Sequence, residues 1–352
     1  ISACLVGSEM CIRDRNVPSL SNGTVVYAWY GNSAVGTLKT TATAAWGSNF
    51  QAVYHLKELP NGAAPQMNDS TANASHGTTN GGMTSGQQVA GEIGGSLSFS
   101  GGNYYVTLAN AANFSFERTD SFSVSCWVKP TANAWATLVS KETSAAPIAG
   151  WVVEQGAGSA NPVFAFDVVN NGWSSRAMAR TTAEFSMGTW HQVVTTYSGT
   201  GSVAGMKVYV DGANQALTTL SDNLSGSILN TVTPQINGRN GADSLSTASL
   251  DECRVSAKGV VLLPDWVMSS YNNQSSPATF FTVATGVTNA ASGPAVSLSA
   301  TSLNFGSQTT NTTSAAQNVT VTNTGTSALT ITIIGLTGAN AGDFAETNNC
   351  PI

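Results

Sequence analysis

Charge is what this sequence has least of. Lys and Arg number 13 and Asp and Glu 19 in 352 residues, 9% together, against about 25% in an ordinary soluble domain. The net charge of −6 leaves no basic stripe to neutralise phosphates, which excludes a nucleic-acid partner. A disordered acidic chain is excluded too, because disorder needs low hydrophobicity with high net charge, and 41% of these residues are hydrophobic. No apolar run approaches the ~18 residues of a membrane-spanning helix. The best stretch, Gly259 to Leu263, is far shorter. Histidines are few: His55, His76 and His191 lie far apart without ligand spacing, and His191 reads as a strand residue beside Trp190. Nucleophile-elbow, phosphate-loop, dinucleotide and HExxH patterns are missing.

What is present is turn chemistry and short alternation. With 35 Gly and 11 Pro, runs of four to eight residues are bounded by Gly, Asn, Ser or Pro clusters, the grammar of an all-β chain. Thr24 to Tyr30 predicts a strand, and strands are dense from Phe50 to Phe281. Phe122, Val124, Cys126 and Val128 alternate with Ser123, Ser125 and Trp127, which puts one apolar set on a core face. Val163 to Val169 and Trp173 to Met178 flank Asn171-Gly172, and Met206 to Val210 runs into Asp211-Gly212, both strong hairpin signals. Trp190 to Tyr197 and Leu250 to Val255 are further strands. One helix is predicted at Pro264 to Tyr271, with Pro in its first turn. Residues 283 to 295 are small and turn-rich, as a linker should be. After them Leu303 and Phe305, Val319 and Val321, and Leu329, Ile331 and Ile333 alternate with Thr and Ser, predicting a second all-β unit.

Three stretches resemble known families. Residues 46 to 284 resemble a laminin-G-like, concanavalin-type jelly roll of secreted prokaryotic proteins, on five ordered motifs: Ser121 to Pro130, Thr189 to Tyr197, Val208 to Gly212, Leu250 to Ser256 and Tyr271 to Pro277. Residues 16 to 45 resemble the end of a β domain of unknown function that precedes such modules, on Val17-Pro18-Ser19-Leu20 and Tyr30-Gly31-Asn32. Residues 296 to 352 resemble the start of the immunoglobulin-like repeat called choice-of-anchor D, on Leu303-Asn304-Phe305-Gly306, Val321 to Gly325 and Asp343-Phe344. The 57 residues there fall short of the about 100 that close such a sandwich. Residues 1 to 15 resemble a translated sequencing adapter in Glu9 to Arg15, so Cys4 and Cys11 carry no functional argument, and residues 285 to 295 are the linker. The fold class expected is all-β: a jelly-roll β-sandwich followed by a second, truncated immunoglobulin-like sandwich.

The concanavalin resemblance also implies glucanases, which need two carboxylates on one face, about 5 to 9.5 Å apart. On one strand this means spacing i and i+2. No such arrangement occurs, and adjacent Asp251 and Glu252 are predicted to diverge, so no enzyme is expected. Such jelly rolls often carry calcium, and Asp69, Asn73 and Asp251 are the candidate ligands; the alternative is a solvated turn at Asp69. Cys126 and Cys253 share the apolar parity of their strands and are either buried thiols or a disulfide across the sheet. Sugar recognition calls for an exposed aromatic face with polar groups beside it. Trp173, Trp135 and Trp151 are the candidate platforms, and Asn171 and Arg176 make the Trp173 hairpin the best site. The expected function is a non-catalytic extracellular or cell-surface adhesion module that recognises a glycan or a protein surface. The alternatives are a carbohydrate-binding appendage of a larger polysaccharide-degrading enzyme and a structural stalk.

Overall fold

Alternation in Phe122–Lys129 sorts one strand into two faces: Phe122, Val124, Cys126 and Val128 are buried in the main core, while Trp127 points away from it. The same sorting, repeated through the chain, builds two sheets around one core. In the computed structural model, which describes residues 20–26, 42–100, 102–282, 293–325 and 327–350, every pairing between the named strands is antiparallel. The adapter-like segment with Cys4 and Cys11, most of residues 16–45 and linker residues 285–292 lie outside the described residues. Of the strand expected at 24 to 30, residues 24–26 are described and are not in strand conformation.

The strands are β1 (Phe50–Tyr54), β2 (Gly77–Asn80), β3 (Gln88–Ala90), β4 (Gly95–Ser98), β5 (Tyr105–Leu108), β6 (Phe122–Lys129), β7 (Ala136–Glu142) and β8 (Gly150–Gly156). They continue with β9 (Val163–Val169), β10 (Arg176–Thr181), β11 (His191–Tyr197), β12 (Met206–Val210), β13 (Ala213–Asn214), β14 (Leu217–Asp222), β15 (Gln235–Ile236) and β16 (Ser249–Ser256). One eight-stranded sheet runs β13-β12-β11-β6-β16-β4-β3, with β1 also paired to β16. The other runs β14-β10-β9-β8-β7-β15-β5-β2. Eight of the fourteen pairings in these two sheets join strands that are not consecutive in sequence, the mark of a jelly roll rather than a meander. Phe122 joins the layers: its ring lies 5.5 Å from Trp151 and 5.8 Å from Phe166 in the second sheet, and 5.9 Å from Tyr197 in its own. Burying such side chains contributes about 1.5–3 kcal/mol each.

Turn chemistry follows the sequence at Asp211-Gly212, where both residues take positive φ, 53° and 79°, as a tight hairpin requires. The Asn171-Gly172 hairpin is looser: only Gly172 has positive φ, and β10 begins at Arg176 instead of Trp173. The predicted helix is present and one turn longer, Pro264–Ser275. It closes the back of the first sheet, where Gln274 Oε1 accepts from Trp127 Nε1 at 2.7 Å and from Gln192 Nε2 at 3.0 Å, and Tyr271 stacks on Trp127.

β16 contains the main departure from regular alternation. Between the pairs Asp251 with Trp127 and Arg254 with Ser125 the register shifts, and Glu252 has φ of 50°. This is a β-bulge, two residues facing one. Its consequence is a phase change: Leu250 and Cys253, three apart, both enter the core. Cys253 thereby meets Cys126 as a disulfide, at a sequence separation of 127. The bulge also overturns the expectation that Asp251 and Glu252 diverge. Both turn away from the core.

The second unit, Val283–Ile352, is sparser. Its described strands are Val296–Leu298 and Val321–Asn323, paired antiparallel, with Phe305 and Phe344 rings 6.1 Å apart. Leu303, Phe305 and Leu329 to Ile333 are not strands, and Ile333 is 80% exposed. Alternation alone does not hold a strand that lacks a partner, and the immunoglobulin-like expectation is not shown by these residues.

Closing a loop of this length contributes roughly 2–5 kcal/mol. Reduction should therefore lower Tm by about 5–15 °C. Alkylation in denaturant should add two more labels after reduction than before it, and equal label counts would show that Cys126 and Cys253 are free thiols.

Candidate functional site

The face of β7 to β10 that points away from the core carries the chemistry. Three rungs cross these strands in register. Glu142, Gly150, Val169 and Arg176 form the first; Ser140, Val152, Asp167 and Met178 the second; Thr137, Glu154, Ala165 and Arg180 the third. On the other side of the same strands Trp151, Val153, Phe164, Phe166 and Val168 fill the core. Three carboxyls and two arginines of a charge-poor chain thus share one sheet face.

Each ion on it has a definite partner, with one exception. Asp167, fully buried, takes both Nε (3.2 Å) and Nη2 of Arg176. The back of the same guanidinium lies 4.2 Å from the centroid of Trp173, a cation–π contact, and Trp173 is 66% exposed. Glu142 accepts from Arg239 Nη1 at 3.2 Å, and Arg239 Nε donates to Asp243 at 2.9 Å. Arg180 donates to the Ala157 carbonyl at 3.1 Å. Glu154 is left over: it is 8% exposed and has no hydrogen-bond partner among the described residues. Opposite it on the third rung, the Thr137 hydroxyl is buried and also unpartnered.

Electrostatics follow from that accounting. Burial pushes Asp167 up to about 6 although Arg176 opposes it. Burial, with the Asp167 charge, pushes Glu142 up to about 7. Burial, with the charges of Asp167 and Glu142, pushes Glu154 up to about 8. These are carboxyls raised by desolvation and mutual repulsion, a pattern that clusters at functional sites.

The sequence-predicted residues fall around this face. Trp173 stands at one end, in the β9–β10 turn with exposed Asn171 beside it. Trp135, 43% exposed, stands at the other end, its ring against Gly156, where a Cβ would meet the indole at 3.0 Å. Gly156 follows Gly150, Val152 and Glu154 at even spacing, so Trp135 caps the same face about 20 Å from the first rung. The loops around it are fixed: Glu184 accepts from the backbone N–H of Ala160 and Asn161 (3.0 and 2.8 Å), and Asn133 from that of Gly158 (2.9 Å). Trp151 is corrected from platform to core: it is buried, with Nε1 donating to the Phe114 carbonyl at 3.0 Å. Glu142, Glu154, Asp167, Arg239 and Thr137 are not singled out by any sequence motif. Period-two parity does place Glu154 and Asp167 off the core, and that is the one local signal they carry.

The calcium set does not assemble. Both Asp69 oxygens are taken by protein donors: Val53 N (3.0 Å) and Thr71 N (2.9 Å) on one, Thr71 Oγ1 and Ser75 N (both 2.9 Å) on the other. Asn73 Nδ2 donates to the Gln51 carbonyl at 2.9 Å, and Asp251 Oδ2 accepts from Ile93 N at 2.9 Å. Hydrogen-bond donors occupy both Asp69 oxygens and Asp251 Oδ2, which a hard cation would require, while Asp251 Oδ1 is buried without a partner; no metal-holding group of three His, Cys, Asp or Glu occurs among the described residues. Asp69 is the hub of a turn, but a buried one, 5% exposed, not the solvated turn of the alternative reading.

Two other polar constellations resemble catalytic geometry; the first is buried, and the second is committed to structural hydrogen bonds. Behind the first sheet, Glu252 accepts from His55 Nδ1 at 2.6 Å and Arg254 Nη2 at 2.5 Å. Burial raises Glu252, but His55 and Arg254 outweigh it and hold it below the ordinary range, while burial and the Glu252 charge push Asp251 well up. Asp251 and Glu252 are at most 2% exposed. His191 lies 2.8 Å from Asp211 Oδ2 and 3.2 Å from Ser186 Oγ, triad-like distances. The same His191 Nε2 is 3.2 Å from the Ser186 carbonyl, and Asp211 also accepts from Gln192 N at 3.0 Å. His191 is thus a strut between the 185–189 loop and the hairpin turn, in keeping with its reading as a strand residue beside Trp190.

Residues 100–260 match the family described as the concanavalin A-like lectin/glucanases superfamily, Laminin_G_3, so this segment is a concanavalin-type jelly roll. Solved structures similar to the chain include the binding domain of Paraclostridial Mosquitocidal Protein 1, at 14% identity and TM-score 0.47, covering 64% of this chain and 52% of that one. The receptor binding domain of botulinum neurotoxin mosaic serotype C/D is 16% identical at TM-score 0.44, covering 64% and 51%. The binding domain of botulinum neurotoxin DC in complex with SialylT is 14% identical at TM-score 0.42, covering 65% and 52%. The chain spans about half the length of these structures. A search of curated proteins finds no match.

A carboxyl whose folded value is raised contributes stability that is complete below its unfolded value, near 4.5 for Glu154, and is lost as pH climbs to about 8. Glu154→Gln should therefore stabilise the fold at pH 8.5 relative to wild type, by roughly 2–5 kcal/mol read as a higher Tm, and the gain should vanish near pH 4.5. A pH-independent difference would show that Glu154 is not raised. Thermal melts in excess calcium and in chelator should coincide; a calcium-dependent rise in Tm would restore an ion to the fold.

Proposed function

We propose that the jelly roll is a non-catalytic module of an extracellular or cell-surface protein that holds a glycan along the outer face of β7 to β10. One observation carries the reading: an exposed indole, Trp173, braced from behind by a guanidinium that is itself locked to a buried carboxylate. An aromatic ring needs no such bracing to pack in a core. Presented to solvent and held still, it is a stacking platform whose ordering cost is met before the ligand arrives. Trp135 supplies a second platform on the same face, and Asn171 and Glu154 supply hydrogen-bonding groups for sugar hydroxyls. The Cys126 to Cys253 disulfide favours an oxidising compartment.

Binding is favoured over hydrolysis by the state of the acids. Glycosidic cleavage employs two carboxyls at once, one as acid and one as base or nucleophile. Asp167 and Glu142 are each committed to an arginine, which leaves Glu154 alone.

A glycan array should give positive spots for the wild-type chain. Trp173→Ala and Trp135→Ala should each weaken binding about tenfold or more, equivalent to about 1.4 kcal/mol, with Tm unchanged. A wild-type chain that binds no glycan, or a Trp173→Ala variant that binds as tightly, would remove the assignment.

A further inference from the structure

Lys141 breaks the sorting that sends charge to the outer face. In register with Trp151 across β7 and β8, it lies on the core side of its strand and is 2% exposed. Phe114, Phe116, Trp151 and Ile228 wall the hollow that holds it. Its Nζ donates to three oxygens of one segment: the Asn230 carbonyl at 2.9 Å, the Val232 carbonyl at 2.9 Å and the side-chain Oδ1 of Asn230 at 3.1 Å. We propose that Lys141 and Asn230 join covalently: Nζ attacks Asn230 Cγ, ammonia leaves, and an isopeptide bond ties β7 to the segment before β15. The inference stands apart from the glycan reading and does not rest on it.

The geometry presents the amine and the amide to each other. As an ammonium, Lys141 matches three donors to three acceptors and is inert. Burial lowers it to about 8, and no carboxylate opposes the shift, so a neutral amine is within reach at mildly alkaline pH. That amine keeps two N–H groups for the two backbone carbonyls, and its lone pair falls to the third neighbour, the Asn230 amide. The carbonyl carbon lies one C=O bond behind Oδ1, at most about 4.3 Å from Nζ, a small side-chain rotation from the roughly 3–3.5 Å of an attacking pair. Asn230 cannot turn away. Its Nδ2 donates to the Lys141 carbonyl at 3.1 Å and the Ala149 carbonyl at 2.9 Å. Its Oδ1 accepts from Val232 N at 3.1 Å, a backbone donor aimed where negative charge develops.

The step balances without a further reagent. Nζ bonds to Cγ, and the carbonyl electrons move onto Oδ1. One Nζ proton passes to Nδ2, the Cγ–Nδ2 bond breaks as the carbonyl reforms, and ammonia leaves past half-buried Asn230. The other Nζ proton remains as the N–H of the new amide. An amide is a weak electrophile, and enforced proximity, with effective concentrations up to about 10⁵–10⁸ M in well-oriented pairs, is what the fold supplies. The bond would link residues 89 apart in the chain. It would also anchor a segment that holds the Trp173 turn, through Asn223 Nδ2 to the Trp173 carbonyl at 3.3 Å and through the Ser225 carbonyl to Asn170 Nδ2 and Ser175 Oγ, both at 2.7 Å.

Intact mass of the full chain, reduced and denatured, tests the proposal at isolation and after incubation of the folded protein at mildly alkaline pH. The wild type should fall below its sequence mass by one ammonia. Trypsin should leave the bond after Lys141 uncut and release one branched peptide that contains both Lys141 and Asn230. Chains still unreacted at isolation should convert about fifty-fold faster at pH 8 than at pH 6, in step with the neutral amine. Lys141→Arg and Asn230→Ala should each keep their full mass, and if either fails to fold the wild-type peptide map still decides. A wild-type chain that stays at full mass, or an ammonia loss that maps to a succinimide at an Asn-Gly pair, would overturn the proposal.

Discussion

The two-residue period of an antiparallel strand governs this molecule. Each sheet must give one face to the common core around Phe122, Trp151 and Phe166, so every second residue is delivered to a face that shares none of that core. Where such a strand carries charge, parity alone sends it there. In β8 and β9 the result is Val152 and Glu154 beside Ala165 and Asp167, with no charged residue of either strand on the core side. A chain with only 13 basic and 19 acidic residues thus gathers three acids and two arginines on four adjacent strands. The concentration is a by-product of register, and it is where polar chemistry becomes available.

What the face can do depends on how those charges are matched. Removing a carboxylate from water is costly, and a buried pair repays the cost only with good geometry. Asp167 receives such geometry from Arg176, two donors in a fork. The pairing works outward as well as inward. A guanidinium fixed on Asp167 cannot swing away from Trp173, so a buried ion pair sets the orientation of an exposed ring. Arg239 does the same for the 239–243 loop by bonding Glu142 and Asp243 together. These are positioning roles, and in the loop they add to the backbone bond from Arg239 N to the Asp243 carbonyl at 3.1 Å.

Much of the architecture is legible in local patterns of the chain. Apolar alternation marks β6, β9, β11 and β12, and Asp211-Gly212 marks its hairpin because a tight turn needs positive φ twice. The exposed Trp173 with Arg176 is legible because both flank a turn, and turns are local. What escapes is what only pairing creates. Glu142, Glu154 and Asp167 lie 12 and 13 positions apart in the chain and become neighbours through two antiparallel registers. A search for carboxylates at i and i+2 on one strand passes over them. The bulge at Glu252 escapes for a related reason: nothing in Leu250 to Ser256 announces a residue at φ of 50°, and one such residue puts adjacent Asp251 and Glu252 on the same face. The Asp69 turn shows the converse, a cluster of oxygen-bearing residues that resembles a cation site until the N–H groups of Val53, Thr71 and Ser75 are placed.

The difference between a lectin and a glycosidase on such a fold comes down to how many acids remain free. Hydrolysis needs one carboxyl to give a proton while another, ionised, attacks or activates water, so two must be unencumbered within a few ångströms. An arginine on a carboxylate keeps it ionised but spends its lone pairs on N–H groups. Here two of three acids are spent in this way. The third keeps its proton to about pH 8 because neither water nor a cation reaches it well enough to stabilise the charge. A single raised acid whose neighbouring carboxylates are held by arginines lacks the second, unencumbered carboxyl that glycoside hydrolysis employs.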